Sequence, residues 1–246
     1  MPFITQGKTN WKYLFIVIIL AAIVGGGILT SLYSWKKKGY LPAPVVTIPA
    51  AAAQKEIEPN AIWNCEGTLG CLDEWHNCAT DLNCAANVMK KYGASLNAIN
   101  FTAKILADKG YLEQFQDMGK IDLGIVVFPD RANTNEAYYL LNGSPVLVST
   151  EISQDDALDG AMKKDSLYSE MAAKYSNIWF WGFAPRFIGE ETLANGNGRF
   201  VFEYNFVNGC RICETEYSGQ IGFDFDSSGK FLGKTFLKII KGKAED

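Results

Sequence analysis

The pattern of apolar and polar positions changes character along the chain. Residues 13–33, YLFIVIILAAIVGGGILTSLY, form a continuous apolar run without a charge. At about 1.5 Å per residue it spans roughly 30 Å, the hydrocarbon thickness of a bilayer. Trp11 and Tyr13 stand at one end, Tyr33 and Trp35 at the other, where amphipathic rings meet a membrane interface. A buried core helix of this length would carry a polar face. The run therefore reads as a transmembrane anchor over 13–33, after a cytoplasmic tail over 1–12. WKKK follows it in place of a small-residue cleavage site, so the anchor is expected to stay uncleaved. A Pro/Ala-rich linker over 34–60, containing LPAPVVTIPAAAA, then reads as an extended tether.

Helical signals run from about Leu69 to Met118. Leu72, Trp75, Ala79 and Leu82 make an apolar stripe, with Asp73, Glu74, Asn77 and Asp81 turned away from it. LADKGYLEQFQDMG carries charges at helical spacing, broken by Gly110, while ASLNAINFTAKI partly alternates and leaves helix and strand open. From Gly124 the period falls to two. GIVVFP, EAYYLL and SPVLVST are expected strands, joined by RANTN and NGS as turns. SQDDALDGAMKKDSLYSEMAAKYSN is an expected helix, opened by Ser153 and Asp156 as a capping-box variant. Two hairpins follow, PRFIGEETL with RFVFEYNFV and SGQIGFDFD with FLGKTFLKII. On RFVFEYNFV, Phe200, Phe202, Tyr204 and Phe206 share one face, expected to pack on the helix after Ser153. The fold class is α+β: a transmembrane helix, a Cys-rich helical section over 61–120, and an α+β domain over 121–246. In that domain an antiparallel sheet carries helices on one face.

Composition sharpens this picture. The 246 residues carry a formal charge of −4, so the chain lacks the basic footprint of a nucleic-acid binder. Lysines flank the apolar run on both sides (Lys8 and Lys12, then Lys36, Lys37 and Lys38), and the positive-inside rule gives a tie. The six cysteines break it, because a clustered set in a small domain suits an oxidising compartment. The N-terminus is placed in the cytoplasm and the C-terminal domain outside it.

Four cysteines, Cys65, Cys71, Cys78 and Cys84, are separated by five, six and five residues. Structural zinc sites favour tighter knuckles, so disulfides are the expectation. Cys71 and Cys78 would sit about 10 Å apart on one helix, beyond the ~7 Å reach of a bridge. Two pairings remain within the cluster: Cys65 with Cys71 and Cys78 with Cys84, which is preferred, or Cys65 with Cys78 and Cys71 with Cys84. Cys210 and Cys213 form a CRIC motif between two strands, and read as a clip on a β-turn. The competing reading is a thiol–disulfide oxidoreductase, whose reactive pair normally sits at a helix N-terminus.

Other candidate chemistry is thin. Asp224, Asp226 and Ser228 open like a calcium loop, but Thr235 stands where the bidentate glutamate belongs. Glu151, Asp155, Asp156 and Asp159 read as acids at a helix start. The single histidine, His76, offers no triad. ANGNGR leads into a strand and is no phosphate loop. Asn100 and Asn142 open N-x-Ser/Thr sequons. No catalytic residue, metal or cofactor is assigned. IWFWGFAPRF, with five aromatics in ten residues, reads more often as core than as an exposed strip; as a neighbour of the mixed face of RFVFEYNFV it supplies Trp179 and Trp181 as the binding candidates for an envelope protein or a small ligand.

MPFITQGKTNWKYLFIVIILAAIVGGGIL resembles the start of single-anchor exported proteins of candidate-phylum (Patescibacteria-type) bacteria. NGCRICETEYSGQIGFDFDSSGKFLG is similar to C-terminal modules of unknown function in exported bacterial proteins, and CEGTLGC resembles a cysteine motif of such proteins. The resemblance implies a bacterial cell envelope and supplies no catalytic residue. The expected function is a membrane-anchored, extracytoplasmic, non-catalytic binding module.

Overall fold

A computed structural model describes residues 55–78, 81–132, 134–152 and 158–242. The 13–33 run, the linker up to residue 54, and Ser153 with Asp156 lie outside the described residues. Among the described residues no helix is long and apolar enough to cross a membrane.

Helices α1 (Cys71–His76), α2 (Leu82–Lys91) and α3 (Leu96–Lys104) open the fold. Their boundaries are set by local chemistry. Asp81 accepts the first amides of α2 from Asn83 and Cys84, and the Ser95 hydroxyl accepts that of Ala98 in α3, each cap worth about 1 kcal/mol. Strands β1 (Tyr111–Gln116), β2 (Asp122–Val127), β3 (Glu136–Leu141) and β4 (Leu147–Ser149) form an antiparallel sheet in that order. Helices α4 (Asp159–Met162) and α5 (Ser166–Lys174) follow, with Asp165 capping α5 through the amide of Leu167. The second antiparallel sheet holds β5 (Ile178–Phe180), β6 (Arg186–Thr192), β7 (Gly198–Asn208), β8 (Glu214–Phe225) and β9 (Phe231–Lys241). Both β5 and β6 pair with β7, one at each half of that long strand.

The fold is thus α+β with two antiparallel sheets where one was expected. LADKGYLEQFQDMG is also not helical throughout. Leu106–Asp108 makes a single 3-10 turn, Lys109 takes a left-handed φ of 53°, and the chain then extends into β1. A bulge between Leu112 and Gln114 breaks the alternation that would have marked the strand.

The first sheet is covered on both faces. Leu112, Val126, Ala137 and Tyr139 pack with Phe101 and Ile105 of the α3 region and with Ile57 and Ala61. On the opposite face Leu123 and Leu140 join Phe200, Phe202, Tyr204 and Phe206 of β7 in the largest core. The aromatic face of β7 therefore meets the first sheet as well as Leu158, Met162 and Met171 of the α4–α5 segment. The Tyr138 and Phe202 rings lie 5.7 Å apart, and the buried Tyr204 hydroxyl donates to the Thr150 carbonyl at 2.6 Å. Burial pushes the Tyr204 hydroxyl well above the ordinary tyrosine range.

A polar junction fixes the start of the domain. Asp122, fully buried, accepts from Lys55 Nζ at 2.7 Å, the Met118 amide at 3.0 Å and Asn142 Nδ2 at 2.7 Å. Asn142 exchanges two further hydrogen bonds with the backbone of Ile57. The Asn142 sequon is thereby a structural device, since a glycan on Nδ2 would displace the bonds to Asp122 and Ile57. The Asn100 sequon lies within α3, with Phe101 and Thr102 buried.

Candidate functional site

Alternation along β7 turns Arg199, Val201, Glu203, Asn205 and Val207 to the outer face of the second sheet, opposite the core aromatics. Strand β5 pairs Trp179 with Val207 and Phe180 with Phe206. Phe180 accordingly turns inward, 5.2 Å from the Tyr204 ring and 5.5 Å from that of Phe206. Trp179 turns outward. The Trp181 amide donates to the Asn205 carbonyl at 2.9 Å, which continues the ladder and puts Trp181 on the same side. Trp179, Trp181 and Phe183 then form a strip of half-buried rings, with centroids 5.2 and 5.1 Å apart. Edge-to-face and tilted contacts of this kind hold rings in fixed relation.

The CRIC turn closes over this strip. Cys210 and Cys213 are disulfide-bonded, and the Cys213 amide donates to the Cys210 carbonyl at 3.0 Å. Gly209, at φ 75°, admits the left-handed step into the turn, and its amide donates to the Asn177 carbonyl beside β5. The clipped turn places the Arg211 guanidinium 5.2 Å over the Trp181 ring and leaves Ile212 89% exposed. Cys213 is exposed and Cys210 half-buried. The pair joins β7 to β8, so the helix N-terminus that lowers thiol pKa in reactive CxxC pairs does not follow it.

A row of paired polar side chains continues across the same face. Asn205 donates to Glu214 at 2.9 Å, and Gln220 and Arg186 both donate to Glu203 at 3.2 Å. Arg199 crosses Gly222, where a Cβ would lie 2.6 Å from its Cδ, and grips Asp224 at 2.6 and 2.8 Å. Burial disfavours the Asp224 carboxylate, but Arg199 and the Thr235 hydroxyl outweigh it and hold its carboxyl below the ordinary range.

In the calcium-like loop both carboxylates already have partners. Asp224 is committed to Arg199 and Thr235, while Asp226 accepts from Ser228 and from the Lys230 amide within the turn. Among the described residues no group of three His, Cys, Asp or Glu side chains is placed to hold a metal ion. In the acidic patch, Glu151 pairs with Arg131 and Asp159 with Lys163, both at 2.6 Å, whereas Asp155 and Asp156 lie outside the described residues.

The first four cysteines pair as neighbours, Cys65 with Cys71 and Cys78 with Cys84. They surround a buried triangle of Trp63, Trp75 and Tyr111, with centroids 5.1–5.9 Å apart. Burial pushes the Tyr111 hydroxyl up to about 12. His76 faces Asp130, which Lys109 also contacts. This cluster is packing around two staples and contains no free thiol.

A cavity of about 230 Å³ lies beneath β5, between Phe180, Phe206, Ile152, Leu158 and Met162. Trp179 of the strip lines it as well, together with Asp159 and Lys163.

Sequence reasoning singled out Trp179 and Trp181 and passed over Phe183 and Arg211. The i, i+2, i+4 spacing of Trp179, Trp181 and Phe183 marks one face of an extended segment, and carried that signal. Arg211 had no signal, because its partner ring is distant in sequence. No protein-family model, curated protein or solved structure matches the chain.

Proposed function

We propose that residues 55–242 form a non-catalytic binding module, carried outside the cytoplasm on a tether and a transmembrane helix. The apolar run over 13–33 supports the anchor, and the absence of free cysteines among the described residues suits an oxidising compartment. The observation that carries the reading is the strip of Trp179, Trp181 and Phe183, partly exposed on the outer face and topped by Arg211. Aromatic and arginine side chains held in fixed geometry are the usual anchors of recognition surfaces. Co-sedimentation of the full-length chain, in neutral detergent, with washed envelope fragments tests it. Trp181→Ala should abolish co-sedimentation and leave a cooperative thermal transition. Undiminished co-sedimentation of that variant would remove the strip from consideration.

The exposure of Cys213 favours one second reading, an envelope thiol–disulfide oxidoreductase using Cys210 and Cys213. Insulin reduction that disappears in Cys210→Ser would establish it over the binding module.

A further inference from the structure

The chain has four arginines. Arg131, Arg186 and Arg199 each pair with a carboxylate, Glu151, Glu203 and Asp224 respectively. Arg211 has no carboxylate partner among the described residues, and is instead held over the Trp181 ring by the disulfide-clipped turn. A guanidinium that meets an aromatic ring keeps its N–H fork for an acceptor, and that fork matches a carboxylate. The flanking rings ask for something different. Trp179 and Phe183 offer π faces, whose negative quadrupole suits the weakly positive C–H groups of a saturated ring. Glu203 and Glu214, on the same face, are acceptors held by Gln220, Arg186 and Asn205. An acidic peptide side chain brings no donor to those carboxylates, whereas the hydroxyl groups of a sugar would donate to them.

One ligand chemistry satisfies all three demands: a carboxylate for Arg211, a C–H face for the rings, and hydroxyl donors for Glu203 and Glu214. We propose that the strip binds a sugar acid within an acidic glycan. The proposal rests on the binding reading above and adds the ligand class. Arg211 fixes the carboxylate, and the CRIC disulfide is the positioning element that keeps Arg211 over Trp181.

The test titrates the full-length chain in neutral detergent, by calorimetry, with three probes. They are an oligogalacturonate, its carboxyl-reduced neutral counterpart, and an oligoglutamate of equal charge. The oligogalacturonate should bind, and Arg211→Gln should weaken it about 10–100-fold, the worth of one charge-assisted hydrogen bond. The neutral oligomer should bind more weakly than the acid by a similar factor and be indifferent to Arg211→Gln. Equal binding of both oligosaccharides, preference for the oligoglutamate, or no binding at all would each overturn the proposal. Should these fail while co-sedimentation with envelope fragments still depends on Trp181, the ligand class alone is wrong. Should co-sedimentation also ignore Trp181, the binding reading itself is wrong.

Discussion

Asp122→Ala probes the buried polar junction that holds Lys55 and Ile57 to the first sheet. The carboxylate is fully buried and accepts three hydrogen bonds, from Lys55, the Met118 amide and Asn142. Removing one partner of a buried charged pair costs about 3–5 kcal/mol, because the groups left behind lose their compensation. Lys55 retains 27% side-chain exposure and a second partner in Asp117, so it rehydrates in part and the lower end applies, about 3 kcal/mol. In a domain of this size each kcal/mol moves the midpoint by about 2–4 °C, giving a fall of about 6–12 °C. Lys55→Met should cost less, since Asp122 keeps Met118 and Asn142. The double variant should cost less than the sum of the two by at least about 0.5 kcal/mol, the signature of a direct contact. Urea unfolding of the oxidised full-length chain, followed by tryptophan fluorescence at unchanged m, reads all three. An Asp122→Ala cost below about 0.5 kcal/mol, the size of an ordinary surface change, would refute the account of this junction.

Tyr204→Phe should cost about 1–3 kcal/mol by leaving the Thr150 carbonyl unpaired between the two sheets, measured by the same unfolding curve. Asp224 is held below its ordinary value of 3.8, so its contribution to stability is present above that value and lost as pH falls through the depressed folded value. Acid titration of stability should therefore steepen below about pH 4, and Asp224→Asn should flatten it. Protease added to intact spheroplasts should digest the domain without lysis; complete protection until lysis would reverse the proposed topology.

Much of the second sheet was legible because its strands alternate cleanly. β8 alternates apolar and polar residues, β7 keeps its aromatic residues on one face with a mixed set (Arg199, Val201, Glu203, Asn205 and Val207) on the other, and their turns carry Asn, Gly, Asp and Ser. β1 was hidden for a physical reason. Tyr111 and Leu112 are both buried, on opposite faces, and the bulge at Glu113 shifts the phase of the strand's remaining residues. The division into two sheets was also hidden, since alternation marks a buried face without saying what covers it. The one helix expected here is divided into α4 and α5, because the sequence pattern did not mark Asp165, which caps α5 and also accepts the Ile239 amide of β9. The candidate site was half legible. Its tryptophans stand out by spacing, whereas Arg211 reaches Trp181 only because the β7–β8 turn folds back beside β5.

The central claim is that the outer strip of Trp179, Trp181 and Phe183 is the surface through which this protein meets its ligand. Hydroxyl-radical footprinting of the full-length chain, free and bound to washed envelope fragments, tests it at residue level. The account predicts that oxidation of Trp179, Trp181 and Phe183 falls on binding, while the buried Trp63 and Trp75 stay unreactive in both states. Binding that leaves those three rings as reactive as before, with protection elsewhere on the domain, would contradict it.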